Sequence, residues 1–418
     1  MKFFLIGSLS IFLLSACDSF FSRTNQGELS RFLDARTIKD MNFCYSHSTD
    51  IHINKISNLN TDDYIDVIDY IPLETNESIL VGNIDKLLIY EDRIYILDIY
   101  KAKSVFIFDI KGLFIKKISL YGNNSTEYKF LRDMELDIPN RQIVLYDRNG
   151  GKLLLFDLNG NFIRTQRLGF RFSNFKILSN GNYLFYTDNN PNDFNSEISG
   201  YSLLIGHPKG VIFYRGFPNN FFLESLNYSA NFNLSNVGFN NSYEYICPRL
   251  SNAIFQIDTI GKLKKLYQIH LPSGCMEEYL QNINPNHFIK EMASKGYFYS
   301  FGDNVLINDS LFYFNFSGPD KIMNELWYNR ISGQYYCINK KLSSTGKIIS
   351  VPNPLSFKDN QLIGAIDASL ITHSKSSFSN AHRKIIHDGR LSEEILGKID
   401  KVNQDDNPVL MVYRIKWQ

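Results

Sequence analysis

The chain has 418 residues, with 44 Lys plus Arg against 43 Asp plus Glu and a formal net charge of +1. That balance leaves no basic excess to neutralise phosphates, so the composition argues against a nucleic-acid partner. Phe (33) and Tyr (25) are abundant and 44% of residues are hydrophobic, which suits half-buried pleated surfaces and excludes a disordered chain.

The first element is a targeting segment. Met1-Lys2 gives a minimal positive start, and Phe3 to Leu14 is an apolar run too short to span a bilayer comfortably. It ends in Leu14-Ser15-Ala16-Cys17, where small residues admit a signal peptidase and Cys17 offers a thiol for acylation, an arrangement that resembles a bacterial lipobox. The plainer alternative is an ordinary cleaved secretory signal followed by an unrelated cysteine. Residues 1–16 are read as a signal peptide, 17–60 as a tether and N-terminal leader, and 61–418 as the folded body. Several acyl chains on Cys17 would hold the protein firmly at a membrane. Asp18-Ser19-Phe20-Phe21 carries no acidic run that would suggest surface export.

Tyr64 to Leu73 alternates well enough for a strand, with Pro72 placing it near an edge or an end. A first unit follows from Ile84 to Leu120. Arg93–Asp98 and Ser104–Phe108 are strands, Asp109-Ile110-Lys111-Gly112 is a turn, and Leu113–Ile118 is a third strand. Asp at the first turn position accepts backbone N–H groups ahead of it, and Gly at the fourth takes positive φ. A second unit repeats this order with Gln142–Asp147, Lys152–Phe156 and the turn Asp157 to Gly160. In a third, Asn182–Thr187 and Tyr201–Ile205 precede His207-Pro208-Lys209-Gly210, with His207 in the Asp slot. In a fourth, Tyr243–Ile246 and Asn252–Ile257 precede Asp258-Thr259-Ile260-Gly261. The four turn positions are separated by 48, 50 and 51 residues. Beyond Leu271 the pattern loosens, leaving strand candidates Val305–Ile307, Leu311–Phe316, Gly333–Ile338 and Pro408–Lys416 and a helix over Leu391–Val402.

A period near 50 residues marks a supersecondary unit stacked on copies of itself. Four visible units and two loose ones predict an all-β, six-bladed β-propeller with a short helical insertion near the C-terminus, because closing the ring removes exposed sheet ends. The strand around Ile65–Ile71 has no unit of its own and is expected to pair with the last one and close the circle.

Four features together resemble the six-bladed β-propeller lipoproteins of Bacteroides-type bacteria. They are the segment ending in Cys17, the opening Tyr70-Ile71-Pro72-Leu73-Glu74-Thr75, the blade phrase Lys103 to Gly112, and Asp406-Asn407-Pro408-Val409-Leu410. The resemblance covers about residues 64–415 and implies a cell-envelope address, lipid-anchored, at an outer membrane and facing periplasm or cell surface. It implies no catalytic motif. The loop Gly122-Asn123-Asn124-Ser125-Thr126-Glu127-Tyr128 keeps the family's Glu-Tyr but lacks its Pro and second Gly, so no role is carried over to it.

The residues give few chemical leads. No metalloprotease, nucleotide-loop or nucleophile-elbow motif is present, and His382 and His387 are poorly spaced for a shared metal. Asp98 and Asp147 end equivalent strands, where ring symmetry could aim both at a central channel and hold Ca²⁺; the competing reading is that they cap loops. Asp109, Gly112, Asp157, Gly160, Asp258 and Gly261 are read as structural turn residues. Cys44, Cys247, Cys275 and Cys337 form no CxxC pair and are read as small buried hydrophobes, with one disulfide as the alternative. The aromatic residues serve blade packing first, and a sugar-stacking platform second. The leading expectation is a non-enzymatic binding or scaffold module for a glycan, peptide or partner protein, its site built from loops of several blades. The alternative is a Ca-dependent hydrolase or lyase with its site in the central channel.

Overall fold

A computed structural model describes residues 37–44, 47–59, 61–187, 192–218, 243–248, 251–272, 287–298, 305–320, 322–339, 351–358, 360–373 and 393–417. The signal segment with Cys17, and Cys275, His382 and His387, lie outside these residues.

The described strands form six sheets arranged as the blades of a β-propeller. Blade 1 runs Lys86–Tyr90, Arg93–Asp98, Ser104–Asp109 and Phe114–Ile118. Blade 2 runs Leu131–Asp137, Gln142–Asp147, Lys152–Asp157 and Phe162–Arg167. Blade 3 runs Asn174–Ile177, Tyr183–Tyr186, Tyr201–Gly206 and Ile212–Pro218. Blade 4 contributes Tyr243–Ile246, Ala253–Asp258 and Lys262–His270. Blade 5 runs Val305–Ile307, Leu311–Ser317, Met323–Asn329 and Tyr335–Asn339. Blade 6 combines Pro354–Lys358, Gln361–Ile366 and Val409–Ile415 with Ile65–Pro72 from the other end of the chain.

Six hydrophobic clusters match the six blade interfaces. Tyr95, Ile107, Ile143 and Leu154 share the cluster between blades 1 and 2, while Ile94, Phe106, Ile363 and Leu410 share the one between blades 6 and 1. Neighbours Ile94 and Tyr95 thus face opposite interfaces, so a middle strand is buried on both faces and reads as a continuous apolar run. The first strands of blades 5, 6, 1, 2 and 3 touch one another in succession, which makes them the inner wall of the ring.

The repeated turn behaves as its residues require. The Asp109 carboxylate accepts N–H groups of Lys111 (2.9 Å) and Leu113 (2.8 Å), and Gly112 has φ +87°. Asp157 and Asp258 repeat this with Asn159 and Asn161, and with Ile260 and Lys262. His207 substitutes its Nδ1, which accepts from Lys209 N–H at 3.1 Å, and Gly210 N–H still closes on His207 O at 2.8 Å. Register shifts accompany all four hairpins, as expected of a type I turn with a bulge. Blade 5 has a version one residue longer that the sequence pattern did not reveal. Asn329 Oδ1 accepts from Ile331 and Ser332 N–H, and Gly333 has φ +75°.

The early strand closes the ring as expected, pairing Ile65–Pro72 antiparallel with Val409–Ile415. Asn407, buried at 2% exposure, fixes this junction. Its Nδ2 donates to Glu74 O and Ile79 O, both at 2.7 Å, and its Oδ1 accepts from Val81 N–H at 2.8 Å. Two stretches singled out separately in the sequence, around Glu74-Thr75 and Asn407, are therefore one joint.

From residue 37 the leader is part of the ring's outer edge. Lys39–Asp40 lies parallel to the last strand of blade 3, Asn42–Cys44 and Thr49–His52 lie parallel to the last strand of blade 4, and Ser57 bridges Ile338 in blade 5. These additions cover sheet edges that would otherwise be open. The helix near the C-terminus spans Glu393–Asp400, with Ile399 packed in the blade 5/6 cluster. A shorter helix, Ala368–His373, precedes it. Cys337 is a buried free thiol, Cys44 a half-buried free one, and Cys247 is buried; burial pushes the Cys337 thiol up to about 12.

Candidate functional site

The meander order puts two kinds of loop at opposite ends of the ring. The Phe-Asp-x-x-Gly turns join third and fourth strands at one end. Loops between second and third strands, and links between blades, gather at the other. Asp98 and Asp147 stand at this second end, both wholly buried. Asp98 accepts N–H groups of Gly82 (2.8 Å), Asn83 (2.9 Å) and Lys101 (2.9 Å), tying the blade entry to the loop after its own strand. Asp147 Oδ1 accepts Phe130 N–H at 3.0 Å, while its Oδ2 is sealed without a hydrogen-bond partner among the described residues. Among the described residues, no group of three or more His, Cys, Asp or Glu is placed to hold a metal ion.

The structure brings together a charged cluster that the sequence pattern did not single out. It is carried by the inner strands of blades 1 to 4. Lys86 Nζ lies 2.8 Å from Asp133 Oδ1 and 2.5 Å from Glu135 Oε1, and Lys176 Nζ lies 2.8 Å from the same Glu135 oxygen. All four side chains are at most 13% exposed. Asp133 Oδ2 also accepts Phe175 N–H at 2.9 Å, joining blade 2 to blade 3.

Charge balance sets the protonation of this cluster. Burial works against the Lys86 ammonium, but Asp133 and Glu135 outweigh it and hold the group above the usual lysine range. Burial likewise opposes the Glu135 charge, and Lys176 and Lys86 overcome it, keeping the carboxyl below its ordinary value. Glu244 enters from blade 4 beside the same two lysines. Its Oε2 is sealed and has no hydrogen-bond partner among the described residues. Burial pushes its carboxyl up to about 8, and Lys176 and Lys86 only partly oppose that. A signal existed in Asp133-Met134-Glu135-Leu136-Asp137, where acids alternate with apolar residues at the strand period.

A cavity of about 360 Å³ opens at the loop end between blades 2 and 3. Its walls are Arg148–Gly151 from the loop after the second strand of blade 2, Leu168, Phe170 and Arg171 from the link to blade 3, and Asp193–Phe194 from the corresponding loop of blade 3. The walls are braced from behind. Asn192, 1% exposed, accepts Arg171 N–H at 2.8 Å and returns its own Nδ2 to Arg171 O at 3.0 Å. Tyr146 and Phe172 stack at 3.7 Å, and Phe172 N–H donates to the Tyr146 hydroxyl at 3.3 Å. Burial pushes that hydroxyl up to about 12, with Arg148 and Arg171 both close enough to pull it down. Further around the same end, Tyr100 is 56% exposed and Arg132 Nη1 donates to its hydroxyl at 3.4 Å. The backbone brace through Asn192 is a tertiary fact with no local pattern, so no reading of the sequence could find this cavity.

Comparison with known proteins places these features in context. The sequence matches the model of a domain of unknown function, DUF4934, over residues 47–414. No curated protein matches it. The fold is similar to that of a solved protein from Bacteroides fragilis NCTC 9343, described as exported, with 16% identity, a TM-score of 0.69, and coverage of 88% of this chain and 100% of that one. It is also similar to a solved member of the DUF4221 family from Bacteroides vulgatus ATCC 8482, with 9% identity, a TM-score of 0.51, and coverage of 85% and 98%. At these identities the likeness concerns the fold.

Proposed function

We propose a binding or scaffold role in the cell envelope for this protein, which belongs to the DUF4934 family of unknown function. The chain is held to a membrane by lipid on Cys17 and presents the loop end of its propeller to a glycan, peptide or partner protein. The braced cavity between blades 2 and 3 carries this reading, because it is preformed, about the volume of a small ligand, and built from loops of more than one blade. The Leu-Ser-Ala-Cys ending at Cys17 and the exported character ascribed to the Bacteroides fragilis structure support the address. The alternative of a Ca-dependent hydrolase or lyase in the channel draws no support from the charged cluster, since two lysines sit on its carboxylates and repel a divalent cation.

Two measurements test the proposal. The full chain purified in detergent is expected to bind members of a glycan array or an envelope extract and to leave them chemically unchanged; measurable turnover of a bound glycan would reverse the reading. In growing cells, Cys17→Ser is expected to abolish incorporation of labelled palmitate and release the protein from the membrane fraction. Undiminished labelling of the Cys17→Ser variant would rule out this anchor.

A further inference from the structure

The ring guards its outer sheet edges unevenly. The leader lies parallel to the last strands of blades 3 and 4 and bridges blade 5. It matches charge as it goes: Asp40 Oδ1 lies 2.8 Å from Arg215 Nε on blade 3, and Asp50 Oδ1 lies 3.1 Å from His270 Nε2 on blade 4. In blade 6 the helix Glu393–Asp400 packs against the outer strand Ile65–Pro72, with Lys398 Nζ 3.3 Å from Asp69 Oδ1. In blade 1 the last strand is held at both ends, by Phe114 N–H donating to Glu74 Oε2 at 2.9 Å and the Tyr128 hydroxyl donating to Ile118 O at 3.3 Å. Blade 2 differs. Its last strand, Phe162–Arg167, ends its sheet with no further strand beside it among the described residues. The adjoining loop touches it through one side chain, the Thr165 hydroxyl donating to Ser125 O at 2.8 Å. Phe162 is 39% exposed and Ile163 44%. The strand carries Arg164 and Arg167 and no acid. Arg164 donates to Gln166 Oε1 at 3.2 Å within the strand. Two acids of adjoining loops are engaged locally, Asp157 by the amides of Asn159 and Asn161 and Glu127 by Asn124.

We propose that the outer edge of blade 2 captures an extended acidic segment of a partner polypeptide, which adds to Phe162–Arg167 as a parallel strand. An unpaired edge is a template for a further strand, and in strand addition the main chain supplies affinity while side chains supply selectivity. Here Phe162 and Ile163 offer apolar contact, and Arg164 and Arg167 select carboxylates. The leader shows the same mode on blades 3 and 4, where its Asp40 and Asp50 meet basic side chains of the outer strands. Charge separates this partner from two others. A second copy pairing edge to edge would set Arg164 and Arg167 against their own kind. Residues 18–36 of this chain hold three acids, Asp18, Glu28 and Asp34, against three arginines, Arg23, Arg31 and Arg36, and so offer no net complement. The edge is a second surface, distinct from the loop-end cavity, and its failure leaves the role proposed for that cavity standing.

The test is calorimetric titration of the detergent-purified full chain with a short peptide of alternating glutamate and valine, with its lysine counterpart, and with the glutamate peptide N-methylated at every second residue. The glutamate peptide is expected to bind at least tenfold more tightly than either control, and its affinity is expected to fall as salt rises. Arg164→Glu, an exposed substitution, is expected to weaken that binding at least tenfold with an unchanged melting curve. In hydrogen exchange, the outward amides of Phe162–Arg167 are expected to exchange fast in the free chain and at least tenfold more slowly with the glutamate peptide bound. Equal binding of the lysine peptide, or binding insensitive to N-methylation and to Arg164→Glu, would overturn the proposal. Binding of no peptide would overturn it as well. Slow exchange of those amides in the free chain would also overturn it: protection that grows with protein concentration would assign the edge to a second copy, and protection independent of concentration would assign it to the upstream residues of the same chain.

Discussion

Glu135→Gln is expected to destabilise the fold by about 3–5 kcal/mol, the range seen when one partner is removed from a buried ion network. The side chain serves two lysines through one oxygen, with Lys86 at 2.5 Å and Lys176 at 2.8 Å. Neutralising it takes the 2.8 Å Glu135 contact from Lys176, which is 6% exposed, whereas Lys86 keeps Asp133 at 2.8 Å. Adding Lys176→Met to Glu135→Gln is therefore expected to restore part of the loss, because the second change removes the buried ammonium that lost its closest carboxylate in the first. Urea unfolding of the wild type, both single variants and the double variant at pH 7 provides the cycle. A Glu135→Gln variant within about 1 kcal/mol of wild type would show that the cluster is solvated or otherwise compensated.

Stability is expected to fall as pH rises from about 4.5 to about 8, and Glu244→Gln is expected to remove a large part of that fall. The Glu244 carboxyl starts from an ordinary value of 4.5 and is pushed up to about 8 in the folded chain. Below 4.5 it is protonated in both folded and unfolded chains and exerts no pH-dependent pull. Between 4.5 and 8 the unfolded chain releases its proton while the folded chain retains it, so each pH unit favours unfolding by about 1.4 kcal/mol. Above 8 both states are ionised and the slope vanishes. Across the window the wild type is expected to lose on the order of 3–5 kcal/mol relative to Glu244→Gln. Comparing the two proteins in urea at several pH values cancels the contribution of every other titrating group. Parallel stability curves for the two proteins would refute a buried, proton-retaining Glu244.

The propeller was legible because each blade repeats a locally coded device. Asp109, Asp157 and Asp258 each place one carboxylate against two backbone amides within four residues, so spacing alone counted blades. His207 fitted the count, and its ring nitrogen performs half of the same task. Blade 5 escaped because its turn uses Asn329 and one additional residue. The inner strands were harder. Leu131–Asp137 carries Arg132, Asp133, Glu135 and Asp137, which look like a solvated segment until neighbouring blades supply Lys86 and Lys176.

The amino-acid sequence by itself determined the repeat, its period and the strand that closes the ring, because alternation and turn chemistry act over a few residues. Only the tertiary structure decided where charge and space are kept. Lys86 and Asp133 are 47 residues apart, and Asn407 reaches Val81 across 326. Such pairs meet because a closed ring brings inner strands and chain ends together, and no local pattern encodes that meeting. The cavity beside Arg148 and Arg171 has the same origin, since its walls come from three separate loops and acquire their shape only when two blades pack.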